Sequence, residues 1–111
     1  MILHLVRFDC RLVRDWECFH DLLAATLVLP AYYGRNMNAL VDVLTSPDTE
    51  IKAFSADEHD PIVLELEHVG GLRSVQPEIW AAFMDAAAFV NFRRLEMGFP
   101  ATVFLSYDSE P

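Results

Sequence analysis

The sequence predicts an α/β fold: a single compact domain in which a three-stranded parallel sheet packs against helices. Three short apolar runs, at residues 2–8, 61–67 and 101–106, have the pattern of strands. Segments with helical spacing of apolar residues separate them, and connections of that length join parallel strands rather than hairpins. A chain of 111 residues that is 53% hydrophobic can bury one core but not two, so we expect one domain over residues 1–111.

Two helices are predicted between the first two strands. Asp15 suits the N-cap of a helix over about residues 16–28, and Pro30 ends its apolar pattern. A second helix, over about residues 36–46, begins at Asn36, whose side-chain oxygen can accept a hydrogen bond from a first-turn amide. Gly34 is expected to allow a backbone turn closed to bulkier residues. Residues 46–61 are predicted to form a long acidic loop, with one helical turn as an alternative.

The second half of the chain is predicted to contain one long helix. Gly70-Gly71 is expected to form a turn after the second strand, and Pro77 suits the first turn of the helix that follows. Residues 91–100 are predicted to turn back toward the third strand. The expected inward stripe of the helix consists of Ile79, Trp80, Phe83, Met84, Ala87 and Ala88.

The charge of the chain restricts its partners. A formal net charge of -9 opposes direct binding to nucleic acid or to an anionic membrane and favours a basic partner, although acidity can equally serve solubility alone. No apolar run approaches the roughly 20 residues of a membrane span, and the N-terminus has no basic leader, so we expect a cytoplasmic protein. Cys10 and Cys18 are expected to be reduced thiols, with a disulfide between them as the alternative.

We find no convincing catalytic or metal-binding set. The histidines are scattered, and on a strand Glu65 and Glu67 would lie on the face opposite His68. Gly70-Gly71 lacks the lysine of a phosphate-binding loop. We therefore expect no enzyme activity, no metal, no cofactor and no small-molecule substrate.

Residues 29–45 are the most informative segment of the chain. Tyr32 and Tyr33 precede the Gly34 turn, and the helix that begins at Asn36 is amphipathic. At 3.6 residues per turn, one arc of this helix is apolar and faces inward, while a polar arc within about 60° lies beside it and can face a partner. The apolar arc contains Met37, Leu40, Val41 and Leu44, and the polar arc contains Asn38, Asp42 and Thr45.

This segment resembles the barstar family, small inhibitors that bind and block a ribonuclease inside the cell that produces it. The resemblance is dense over residues 29–45, weaker but in the right order elsewhere, and implies the same α/β architecture. The family commonly has an aspartate at the position of Asn38 and a tryptophan at that of Val41. The matching positions are Leu29, Pro30, Tyr32, Tyr33, Gly34, Asn36, Ala39, Leu40, Asp42, Leu44 and Thr45.

The resemblance implies an inhibitor that forms a one-to-one complex with a basic ribonuclease. Asp42 would mimic a substrate phosphate in the nuclease cleft, as its family counterpart does. Tyr32 is expected to face the partner while Tyr33 is mostly buried, and Asp85 matches an acidic interface position on the long helix. The expected partner-binding residues are Tyr32, Gly34, Asn36, Asn38, Val41, Asp42, Thr45 and Asp85.

An alternative partner is indicated by three residues of this segment. Asn38 has lost a charge, Val41 offers less contact area than an aromatic side chain, and Arg35 adds a positive charge at the rim. These features favour an interaction or immunity module of the same fold whose partner is not a ribonuclease.

Overall fold

The computed structural model describes residues 3–46 and 61–108. The predicted acidic loop falls mainly on residues 47–60, which lie outside the described residues. A one-turn 3-10 helix at Cys10–Leu12 follows the first strand. The other elements, in chain order, are β1 (His4–Asp9), α1 (Trp16–Leu27), α2 (Met37–Thr45), β2 (Ile62–Glu67), α3 (Val69–Val75), α4 (Pro77–Glu96) and β3 (Val103–Ser106).

The described strands form one parallel sheet with β2 in the centre. His4 of β1 lies opposite Ile62 of β2, which in turn lies opposite Val103 of β3. The pairing is parallel on both sides of β2, because helices occupy the connections that a hairpin would otherwise make. The predicted α/β fold with a three-stranded parallel sheet is confirmed.

One face of this sheet carries the hydrophobic core. Phe8 of β1 and Leu64 of β2 are buried on this face, whereas Leu5 and Phe104 are exposed on the other. The exposed face also contains an ion pair between Arg7 and Glu65, whose closest atoms are 3.7 Å apart. Because side chains alternate along a strand, the two faces have distinct environments.

Three phenylalanine rings from different elements meet at the centre of the core. Phe8 of β1, Phe19 of α1 and Phe83 of α4 contact one another edge to face, with centroid distances of 5.1–6.2 Å. Such pairs add about 0.5–1.5 kcal/mol each beyond the area they bury. The triad therefore fixes α1 and α4 against the first strand.

The predicted caps of the first two helices are confirmed. Asp15 accepts a hydrogen bond from the backbone amide of Cys18 at 2.7 Å, and Asn36 accepts one from the amide of Ala39 at 2.8 Å. Each bond satisfies an amide that has no partner within the first helical turn. These caps set the starting points of α1 and α2.

Two sequence predictions for the second half of the chain are wrong. Gly70-Gly71 lies within α3 rather than in a turn, because burial of Val69 and Leu72 compensates for the poor helix propensity of glycine. Helix α4 continues to Glu96, past the predicted turn at residue 91, because Val90 and Arg94 are buried on its inner face. Residues 91–96 are largely polar, so their sequence pattern does not indicate this inner face.

Both cysteines are free thiols, as expected. Cys18 donates a hydrogen bond from Sγ to the carbonyl of Leu12 at 2.8 Å. Burial raises the pKa of the Cys10 thiol to about 12, with a further contribution from the neighbouring Asp9 carboxylate. Cys10 therefore stays protonated at neutral pH and is a poor nucleophile.

Candidate partner-binding surface at the turn and second helix

The turn that precedes α2 is closed by backbone and side-chain hydrogen bonds. The amide of Tyr33 donates to the carbonyl of Pro30 at 3.0 Å, and the Asn36 side chain donates to the carbonyl of Gly34 at 3.2 Å. The left-handed residue of this turn is Arg35, with φ 52°, and not Gly34 as the sequence suggested. Gly34 instead allows a close approach, since an added Cβ would lie 3.3 Å from the Cβ of Ala39.

The two adjacent tyrosines point in opposite directions, as predicted. Tyr32 is 75% exposed, whereas Tyr33 is 5% exposed. The Tyr33 hydroxyl lies 2.5 Å from Nδ1 of His20 on α1, which is also buried. This contact fixes the turn to α1 and leaves Tyr32 as a large exposed side chain beside α2.

Burial perturbs both members of the His20–Tyr33 pair. It lowers the pKa of His20, an effect that Arg35 adds to and Asp21 opposes. It also raises the pKa of Tyr33 to about 12, against a smaller opposing effect of Arg35. The pair is therefore neutral at pH 7, and a hydrogen bond joins the tyrosine hydroxyl to Nδ1 of an uncharged imidazole.

A second link between the turn and α1 is an ion pair. Arg35 donates from Nε to Oδ1 of Asp21 at 2.8 Å, and both side chains are about half exposed. The positive charge that the sequence placed at the rim of the surface is thus partly neutralised within the chain. An exposed pair of this kind contributes about 0.2–1 kcal/mol.

Helix α2 turns Asp42 outward. The Asp42 side chain is 72% exposed, and Asn38, one turn earlier, is exposed on the same side. Val41 is expected from the sequence at the border between the apolar and polar arcs, where it could contact a partner. It is only 9% exposed, so it belongs mainly to the core. The polar face of α2 is therefore formed mainly by Asn38 and Asp42.

Thr45 does not belong to the exposed face, which corrects the sequence prediction. Its side chain is 2% exposed, although helical geometry places it close in angle to Asn38. The last turn of α2 packs against α4, where the buried Arg94 donates from Nη1 to the carbonyl of Thr45 at 3.3 Å. Helix α4 thus covers the C-terminal end of the polar arc of α2, whereas the N-terminal end of that arc is exposed.

An open groove of about 560 Å³ is lined by residues of α2 and α4. Asp42 and Asp85 lie on its two sides, with apolar side chains between them. A smaller hollow, of about 320 Å³, lies between Asp42 and Tyr32. The lining of the groove consists of Met37, Asn38, Val41, Asp42, Ala82, Asp85, Ala86, Phe89 and Arg93.

The structure therefore brings most of the predicted partner-binding residues to one surface, with Asp42 at its centre. Asn38, Val41 and Asp85 share the groove with Asp42, and Tyr32 shares the smaller hollow. Gly34 and Asn36 shape the turn, and Asn36 acts as the helix cap. Thr45 is the predicted member that the fold removes from the surface.

Two residues of this surface were missed in the sequence. Arg93 donates from Nη1 to Oδ1 of Asp42 at 3.1 Å, and its guanidinium lies over the ring of Phe89, 5.8 Å from the centroid. Phe89 and Arg93 have the i, i+4 spacing of helical neighbours. The spacing is informative only if α4 continues beyond residue 91, where the sequence predicts a turn instead.

Neither a metal cluster nor a membrane helix is found in the described ranges. Within residues 3–46 and 61–108, no group of three or more His, Cys, Asp or Glu side chains is arranged to hold a metal ion. Among these same residues, no helix is both long enough and apolar enough to cross a membrane.

Comparison with known proteins identifies the family. A family model described as Barstar (barnase inhibitor) matches residues 3–106, which include every described helix and strand. A search of curated proteins gave no significant match. The match extends the resemblance of residues 29–45 to nearly the whole chain, and the protein therefore belongs to the Barstar family.

Proposed function

We propose that this protein inhibits a basic ribonuclease by covering its active site with the turn and helix at residues 32–45. The observation that carries the proposal is the position of Asp42, whose side chain is 72% exposed and lines both the groove and the smaller hollow. Family membership supports it, because the family is described as a barnase inhibitor. Asp42 would occupy the place of a substrate phosphate.

The chemistry of such a contact follows from the charges of the two partners. A cleft that binds RNA presents cationic side chains to a phosphate, and a carboxylate can accept the same charge-assisted hydrogen bonds. The complex of barstar with barnase is itself a standard example of this coupling, so the mechanism is inherited from the family. A net charge of -9 would also accelerate encounter with a basic partner at low salt.

The rigidity of the turn also supports the proposal. The His20–Tyr33 contact, the Arg35–Asp21 ion pair and the Asn36 cap hold the chain immediately after Tyr32. A surface that is already ordered loses little conformational entropy when a partner binds. Tyr32 itself loses little, because tyrosine has few rotatable bonds.

A second candidate function uses the same surface with a partner that is not a ribonuclease. Asn38 can form hydrogen bonds but no ion pair, and Val41 is too buried to serve as a large contact residue. Asp42 also already has a cation, Arg93, beside it. These three features would weaken binding to a partner that the family usually inhibits.

RNA cleavage assays separate the two candidates. Barnase and a panel of other basic microbial ribonucleases would be mixed with the wild type, with Asp42→Asn and with Glu65→Gln, and the rate of cleavage followed. Glu65→Gln is the matched control, because it removes one negative charge from the exposed face of the sheet. The proposal predicts one-to-one inhibition by the wild type and Glu65→Gln, and weaker inhibition by Asp42→Asn.

Two outcomes would contradict the proposal. Equal inhibition by the wild type and Asp42→Asn would exclude the phosphate-mimic role. Failure of the wild type to slow any ribonuclease would favour the second candidate, and affinity capture from lysate with mass spectrometry would then identify the partner.

A further inference from the structure

The carboxylate at the centre of the proposed surface is already paired with a cation of its own chain. Arg93 of α4 reaches across the groove and donates one hydrogen bond to Oδ1 of Asp42 at 3.1 Å. This contact, between Nη1 and Oδ1, is also an ion pair. The Asp42 side chain nevertheless remains 72% exposed. A partner's cation would therefore meet an occupied but accessible carboxylate.

The guanidinium of Arg93 also lies over an aromatic ring. Its guanidinium carbon lies 5.8 Å from the centroid of Phe89, which precedes it by one helical turn and is 52% exposed. A cation over a ring face gains electrostatic attraction even at an exposed site. The ring and Asp42 together hold the guanidinium over the groove between α2 and α4.

The charges of the groove leave it with an excess of acid. Asp42 and Asp85 line it from α2 and α4, and Arg93 is the cation among its lining residues. Val41 and Ala86 provide an apolar surface between these charges. The groove thus has the chemistry to take the apolar stem and charged head of a basic side chain, provided that Arg93 releases Asp42.

We infer that Arg93 is a specificity-determining residue that competes with the partner's basic side chain for Asp42. The inference rests on the proposed function and names how the surface selects its partner. An incoming arginine can form two parallel hydrogen bonds with a carboxylate, whereas Arg93 forms the single bond described above. An incoming lysine has no planar fork, so it displaces Arg93 less effectively.

The effect of Arg93 on the affinity for a basic side chain is expected to be modest but measurable. Exposed ion pairs are worth about 0.2–1 kcal/mol, so removing Arg93 should tighten binding of an arginine side chain by about 1.4- to 5-fold. A larger effect would require Arg93 to be buried, but its side chain is 42% exposed.

The test uses the isolated protein and N-acetylarginine amide as the probe. The probe would be titrated into ¹⁵N-labelled wild type, Arg93→Gln and Arg7→Gln, and binding followed through the amide shifts of Asp42 and Phe89. Arg7→Gln is the matched control, because it breaks an exposed Arg–Glu pair and removes the same charge from the opposite face of the sheet. N-acetyllysine amide serves as the second probe.

Arg93→Gln should bind the arginine probe about 1.4- to 5-fold more tightly than the wild type, while Arg7→Gln should match the wild type. The gain should be smaller with the lysine probe and should vanish when Asp42→Asn is added. Equal binding by Arg93→Gln and the wild type, an equal gain in Arg7→Gln, or no binding of the arginine probe by any variant would overturn the inference.

A second variant guards against damage to the fold. Arg93→Lys keeps the charge and the helix propensity but loses the planar fork, and it should bind the arginine probe with an affinity between the wild type and Arg93→Gln. No ribonuclease is present in this experiment. Failure of the competition therefore leaves the cleavage assays unaffected, and failure of those assays leaves this measurement unaffected.

Discussion

The Tyr33 hydroxyl and Nδ1 of His20 lie 2.5 Å apart, and both side chains are almost completely buried. Through this contact, α1 holds the residue next to the exposed Tyr32. We predict that Tyr33→Phe destabilises the protein by about 1–3 kcal/mol, because His20 loses its buried partner. Tyr32→Phe is the control and should change stability by less than about 0.5 kcal/mol. Equal urea midpoints for the two variants would contradict the structural role of Tyr33.

Stability should decrease as the pH falls below about 6.5, the ordinary pKa of histidine. Burial lowers the pKa of His20 in the folded state, so the unfolded chain takes up a proton there while the folded chain does not. The unfolded state then binds more protons, and the free energy of unfolding falls until the pH passes the lowered folded-state pKa. The decrease can be followed by urea unfolding at a series of pH values.

A His20→Gln variant isolates this effect, since glutamine retains a hydrogen-bond acceptor but does not titrate in this range. The other histidines remain in both proteins, so the difference between the two curves belongs to His20. A difference that stays constant from pH 7 to pH 5 would show that the pKa of His20 is not lowered by folding.

Asn36 and Asn38 offer a matched pair at the start of α2. Asn36→Ala removes the side chain that accepts from the amide of Ala39, and we predict a loss of about 0.5–2 kcal/mol. Asn38→Ala should be neutral or slightly stabilising, because Asn38 is exposed and alanine has the higher helix propensity. Thermal unfolding of both variants checks this, and an equal effect would show that the cap does not set the stability of α2.

Arg93 and Arg94 are sequence neighbours with different structural roles. Arg94 is 2% exposed and donates to the carbonyls of Pro100 and Thr45, so Arg94→Met should cost at least about 2 kcal/mol. Arg93→Met removes only exposed contacts and should cost less than about 1 kcal/mol. Denaturant unfolding of the two variants would contradict this assignment if Arg93→Met were the more damaging.

Local signals in the sequence were enough to predict much of the fold. The Asp15 and Asn36 caps depend on residues three positions away, and the strands have short apolar patterns. The split between Tyr32 and Tyr33 came instead from the family resemblance. These features depend on neighbours in the chain or on a recognised motif, which a single sequence contains.

Features that depend on distant packing were missed. The burial of Thr45, the glycine-containing α3 and the last turns of α4 all result from contacts between separate elements. The ion pair between Asp42 and Arg93 joins positions 51 residues apart, and no local pattern marks it. The sequence thus identified the centre of the candidate surface but not the cation beside it.

The central claim is that Asp42 carries the contact with a basic ribonuclease. The most direct measurement is the dissociation constant, by isothermal titration calorimetry, of the one-to-one complex of the wild type and of Asp42→Asn with the ribonuclease of the panel that the wild type inhibits most strongly. Loss of one member of a desolvated charge pair costs about 2–5 kcal/mol, so the variant should bind at least about 30-fold more weakly. Affinities that agree within about two-fold, or no complex of the wild type with any ribonuclease of the panel, would contradict the claim.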